Sequence, residues 1–184
     1  MNKPRSFVAM AQVHTDVSVT TQQWVNALPN AINLCRAAAT ASLSAAFVNG
    51  NKLLELQGLG KHGIELSVLI TDDAEMTKLN HKYRGKVGPT NVLSFCALDE
   101  VDTIHGEFGP VPLGDVAVAF ETAASEATSA EKSLGHHLTH LIVHGVLHLL
   151  GYDHRTDIEA QSMEQLEVEI LGRLDVPDPY GATF

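Results

Sequence analysis

The stretch HGVLHLLGYDH, residues 144–154, constrains this chain more than any other part of it. It closes a long helical region, Thr122–Leu150, read as one helix or as two meeting near Ser133–Gly135. His137, His140, His144 and His148 fall close to one stripe of that helix. Histidines so placed can be solvated or buried in a core, so geometry must decide which of them could share a ligand. His140 and His148 would stand about 12 Å apart along the axis at 1.5 Å per residue. A zinc ion sits only about 2.0–2.1 Å from each imidazole nitrogen, so one ion cannot take all of His140, His144 and His148 from a straight helix. Neighbours at i and i+4 lie side by side and can share one. Gly151, three residues beyond His148, lets the helix end in a left-handed residue. The chain then turns, and His154 can swing back. The resulting candidate ligand set is His144, His148 and His154.

This spacing, glycine included, matches the H-E-x-x-H-x-x-G-x-x-H arrangement of metzincin proteases. Three neutral imidazoles leave one tetrahedral position for water, the mark of a catalytic rather than a structural zinc site. The departure from that pattern is as informative as the match. A zincin protease carries its general base, glutamate, directly after the first histidine; here that position is Gly145. Glycine inside a helix costs about 1 kcal/mol against alanine. Close approach of a substrate or backbone would explain it, and so would ordinary helix–sheet packing. Asp153 and Asp157 are candidate partners for the outer ring nitrogens, or simple caps.

The rest of the chain reads as a small mixed sheet covered by helices in one domain, fold class α+β. A short alternating run, AQVHTDVSV, suits an edge strand. Thr21–Val48 reads as helix broken by Pro29, and Asn49–Gly63 as a loop. Ile64–Thr71 alternates apolar and polar residues as a strand should. Asp72 with Glu75 opens a helix that stops at Gly85, with Met76, Leu79 and Tyr83 at helical spacing. Val92–Leu98 and Asp115–Phe120 are two further strands, and Thr156 with Glu159 caps a last helix whose inner stripe is Met163, Leu166, Ile170 and Leu174. That makes four strands.

The net charge of −10 sets the whole molecule against general DNA or RNA binding. A local exception is KLNHKYRGK at 78–86, either a helix end that favours positive charge or a functional patch. The longest unbroken apolar runs, Phe7–Ala11 and Val116–Phe120, are too short to span a bilayer. Cys35 and Cys96 match no zinc pattern and read as reduced thiols of a cytoplasmic protein.

Taken with YRGKVGPTNVLSF at 83–95, LGDVAVA at 113–119 and a terminal DPY, the histidine motif resembles the YbeY family of metal-dependent endoribonucleases. The resemblance covers roughly residues 64–180 of a single 1–184 domain. It implies a zincin-like fold with one zinc ion on His144, His148 and His154, although histidine ligands also suit nickel, copper and iron. It implies single-strand-specific cleavage of ribosomal RNA in small-subunit 3′-end maturation and ribosome quality control. Partners would be the small ribosomal subunit, its proteins and a ribosome-assembly GTPase. The family's functional arginine falls on Arg84, where a guanidinium can hold a phosphate in bidentate fashion. Asp115 is a further candidate acid–base group, or a turn residue. Two departures stand out: Cys96 replaces the usual proline after LSF, and the segment 37–59 is longer than is usual. The alternatives are a zinc hydrolase of peptides or small molecules, or a ribosome-associated factor with structural zinc.

Overall fold

A computed structural model of the chain describes residues 12–51, 63–97 and 109–181. Its strands are β1 (Val13–Val19), β2 (Ile64–Thr71), β3 (Val92–Cys96) and β4 (Val111–Ala119). They form one four-stranded sheet in the order β1-β2-β4-β3. The pairs β1–β2 and β2–β4 are parallel, whereas β3 runs antiparallel to β4 at one edge. The described helices are α1 (Gln22–Ala27), α2 (Ala31–Val48), α3 (Asp73–Arg84), α4 (Phe120–Ser129), α5 (Leu134–Leu149) and α6 (Asp157–Gly172). The mixed α+β single domain expected from the residue pattern is therefore the one observed.

Alternation decides the two faces of the sheet. Ile64, Leu66, Val68 and Ile70 of β2 are buried on one face, with Val116 and Val118 of β4 beside them. Helices α2 and α5 cover this face and form the main core with it. On the opposite face Met76 of α3 packs with Leu93, Ala117 and Ala119 in a smaller cluster. Helix α2 reaches a mean hydropathy of 1.3 over 18 residues, enough for a bilayer by composition. Its buried face, from Cys35 through Ala46, is nonetheless spent on α5 and the sheet.

Local signals explain the element ends. Pro29 separates α1 from α2. Ser133 opens α5 by accepting from the His136 backbone N–H at 3.1 Å, so Thr122–Leu150 is two helices. Thr156 and Glu159 form a complete reciprocal capping box on α6. Asp72 caps α3 at 2.8 Å, but the Glu75 carboxylate turns to Lys78 instead of closing a box.

One reading needs correction. Strand β4 begins at Val111, not Asp115. Pro112 lies beyond the reach of β3, whose pairing ends with Cys96 opposite Gly114, and next to a register shift at Glu65/Leu66. A residue without an N–H is tolerated at such an irregularity. Tyr83, at helical spacing with Met76 and Leu79, is exposed and packs against Phe95, with ring centroids 4.8 Å apart. The buried polar residue of α3 is Asn80, which donates to the Gly88 carbonyl at 2.8 Å. Most of Asn49–Gly63, read as a loop, lies outside the described residues; the described part of the 37–59 segment, 37–51, is α2 from Ala37 to Val48 and the turn that follows it.

Candidate metal centre

Helix α5 carries His144 and His148 one turn apart and then stops in a Schellman turn. The Tyr152 N–H reaches back to the Leu147 carbonyl at 3.0 Å, and the Gly151 N–H to that of His148 at 3.0 Å. Gly151 takes φ 82°, the left-handed conformation that this turn demands and glycine adopts without cost. The reversal brings His154 back over the helix end. One nitrogen from each of His144, His148 and His154 lies within 4.8 Å of the others.

The proton positions follow from the partners of the outer nitrogens. His148 Nδ1 stands 3.0 Å from the Tyr152 carbonyl, which can only accept, so Nδ1 carries the proton. His144 Nδ1 stands 2.8 Å from Glu167 Oε1. Burial pushes the Glu167 carboxyl up, but hydrogen bonds from His140, His144 and Tyr180 outweigh it and hold it down at about 2. The carboxylate is therefore ionised and accepts only, so His144 Nδ1 also donates. In the neutral rings both Nε2 atoms are then bare lone pairs, and they face each other at 3.0 Å. Burial, then the nearness of His144, lowers the His148 pKa and keeps that ring neutral. Two bare acceptors at such a distance need a cation between them. Nitrogens sharing one tetrahedral zinc at about 2.0–2.1 Å stand about 3.3 Å apart, so the pair fits a metal with little adjustment.

The other histidines are engaged elsewhere. His140 Nε2 meets Glu167 Oε2 at 2.9 Å, and His137 Nε2 meets Glu126 Oε2 at 2.8 Å. Neither aspartate considered for the outer ring nitrogens contacts one among the described residues. Asp153 accepts from the His154 backbone and pairs with Arg155 at 2.6 Å, and Asp157 opens α6. Their places are taken by Glu167 and the Tyr152 carbonyl, which the sequence reading missed. Glu167 did leave a signal: it sits four residues after Met163 and three before Ile170, on the buried stripe of α6, and it is fully buried.

Gly145 is explained by packing. A Cβ there would stand 2.7 Å from Val116 Cγ1 and 3.1 Å from Ser94 Oγ. Ser94 Oγ donates to the Gly145 carbonyl at 3.1 Å, so α5 lies directly on β3 and β4 at this point. No glutamate fits, and the position faces the sheet.

A cleft of about 700 Å³ opens beside the three histidines. Its lining also includes Asn91 and Ser94, at and just before β3, and Arg84. Arg84 is the last residue of α3, which Gly85 ends at φ 63°. Its side chain is exposed and makes no ion pair among the described residues, unlike Arg155. Asp115 is exposed and is not among the residues lining the histidine cleft; it lines an adjacent groove with Asp16 and Ser67 that shares Arg84 and Ser94 with that cleft.

Together these features define a class: a single-domain α+β protein with an open three-histidine site in a cleft lined by an exposed arginine that makes no ion pair among the described residues. The family model described as "Endoribonuclease YbeY" matches residues 46–175. An Endoribonuclease YbeY of Paramagnetospirillum magneticum is 44% identical over 165 residues, covering 90% of this chain and 94% of that protein. The Azorhizobium caulinodans protein of that name is 45% identical over the same coverage, and that of a Chelativorans species 56% identical over 115 residues, 62% of this chain and 69% of its own. A solution structure from Thermotoga maritima aligns over 92% of this chain and 97% of its own at 17% identity, with a TM-score of 0.49. On the sequence matches, the chain belongs to the YbeY family.

Proposed function

We propose that this chain is an endoribonuclease of ribosomal RNA processing and that it cuts RNA in the cleft between the histidines and Arg84. Family membership supports the activity. The observation that carries the assignment of the site is the pair of Nε2 atoms of His144 and His148, 3.0 Å apart, with His154 beside them in a cleft that Arg84 also lines.

His144, His148 and His154 would hold one divalent ion, zinc by ligand type and spacing. When bound, such an ion supplies Lewis acidity toward a phosphoryl oxygen or water. The chain's own groups do the rest. Glu167 and the Tyr152 carbonyl fix the tautomers of His144 and His148, so each ring presents a lone pair to the centre. Arg84, unpaired and exposed, binds the scissile phosphate through parallel N–H donors and offsets the charge that grows on it in the transition state. Single-stranded RNA suits an open cleft that must admit a flexible backbone between a helix end and a sheet edge. With Gly145 after His144, the chain has no glutamate in the position of the zincin base, which counts against the peptidase alternative. The small ribosomal subunit as the setting, and the cytoplasm as the location, go with this reading.

The test is cleavage of a defined single-stranded RNA with metal content measured in parallel. Arg84→Ala should keep the metal and lose cleavage, by about 10²-fold or more if the guanidinium stabilises the transition state. His148→Ala should lose both. Unchanged cleavage by Arg84→Ala would remove that residue from the reaction, and full metal retention by His148→Ala would undo the ligand assignment.

A further inference from the structure

The terminal DPY has no part in the reaction described above, yet it ends against the metal centre. Asp178 Oδ1 accepts from the Tyr180 backbone N–H at 2.8 Å, and Lys132 Nζ donates to the Pro179 carbonyl at 2.9 Å. These bonds hold a short turn whose tyrosine ring lies edge-on to His140, with centroids 5.7 Å apart. The Tyr180 hydroxyl donates to Glu167 Oε2. That oxygen also receives His140 Nε2 at 2.9 Å, while Oε1 receives His144 Nδ1 at 2.8 Å. The two carboxylate oxygens are thus divided. One is held by the terminal turn and His140, and the other is left for the candidate ligand.

We propose that Tyr180 is a positioning residue for the metal centre: its hydroxyl, with His140, fixes the rotation of the Glu167 carboxylate and thereby the ring of His144. The terminal turn is a latch on the site. This rests on the reading of His144, His148 and His154 as metal ligands. Glu167 is fully buried, so the carboxylate has no solvent to replace a lost donor. If the hydroxyl is removed, Oε2 keeps only His140, the carboxylate can turn, and His144 loses its fixed lone-pair direction.

Tyr180→Phe isolates the hydroxyl and keeps the ring against His140. Zinc affinity, measured by competition with a chromophoric chelator, should fall measurably, by up to about 10-fold, the low end of the effect of losing a direct outer partner of a metal-bound histidine, because Glu167 itself remains. Val176→Ala is the control. It loosens the same terminal segment in the core and removes no hydrogen-bond donor to Glu167. It should lower the melting temperature and leave the zinc affinity of the folded protein unchanged. A second readout needs no variant: in the metal-free wild type, long-range proton–nitrogen spectra should show His144 as the Nδ1–H tautomer. Wild-type affinity in Tyr180→Phe, an equal loss in Val176→Ala, or an Nε2–H tautomer at His144 would each overturn the latch. A wild type that binds no zinc would overturn the ligand reading and the latch with it.

Discussion

Gly145→Ala sets helix propensity against packing, and the two predict opposite signs. Position 145 lies inside α5, where alanine is favoured over glycine by about 1 kcal/mol. The added Cβ would meet Val116 Cγ1 at 2.7 Å, Val116 Cγ2 at 3.2 Å and Ser94 Oγ at 3.1 Å. Val116 is β-branched and fully buried in the centre of the sheet, so its methyls have no free rotamer to yield into. Forcing an extra methyl into a filled core costs about 1–3 kcal/mol. Lifting the helix off β3 also stretches the Ser94–Gly145 hydrogen bond, which contributes about 1 kcal/mol. The expected net change is a loss of about 1–3 kcal/mol, read as a lower urea midpoint in the metal-free protein. The assay gains force as a double-mutant cycle. In a Val116→Ala background both clashing methyls are gone, and the same Gly145→Ala change should become neutral or stabilising. The two positions should therefore couple by about 1–3 kcal/mol. If Gly145→Ala stabilises the wild type, or costs as much in the Val116→Ala background, the contact between α5 and the sheet does not explain the glycine.

Stability should also depend on pH through Glu167. Its folded pKa of about 2 lies below the ordinary 4.5, so its contribution of about 3 kcal/mol is present above pH 4.5 and lost as the pH falls toward 2. Urea midpoints across that range should fall more steeply for wild type than for Glu167→Gln; parallel slopes would contradict the ionised, hydrogen-bonded carboxylate. His137 and His148 have lowered pKa values, mainly through burial, so below pH 6.5 the unfolded chain takes up protons that the folded one resists. The metal-free protein should therefore begin to lose stability as pH drops below 6.5, and a midpoint flat between pH 7 and 5 would count against it. Burial pushes the Cys35 thiol up to about 12. Native alkylation at pH 8 should spare Cys35, and peptide mass spectrometry showing it labelled would contradict its place in the core.

The parts of the site that were legible in the sequence are those that one helix and its end determine. The four-residue step from His144 to His148 is helical geometry, and Gly151 signals the reversal that recovers His154. Arg84 was named through the family resemblance, and Gly85, which marks where α3 must stop, placed it at a helix end. What escaped depended on tertiary packing. Gly145 carried two explanations until the sheet was placed beneath it. Strand β4 reaches back to Val111 through residues that locally favour a turn, because β2 supplies a partner that propensity cannot see.

Glu167 shows how far a charged residue can be misread from local context. It stands in the acidic run from Asp157 to Glu169, and such a run ordinarily marks a solvated face. Helical phase contradicts that: Met163, Leu166, Glu167 and Ile170 share the buried stripe of α6. A carboxylate is costly in that position unless donors converge on it. Three do, from α5 and from the terminal turn, and two of them are histidines one turn apart on the helix that carries the candidate ligands. The acidic residue that breaks the apolar stripe of α6 is thus what joins α5, α6 and the terminal segment beside the candidate metal centre. In other helices of this kind, a lone carboxylate in the buried phase, facing a histidine stripe, is worth more as a sign of a site than its neighbours' charge suggests.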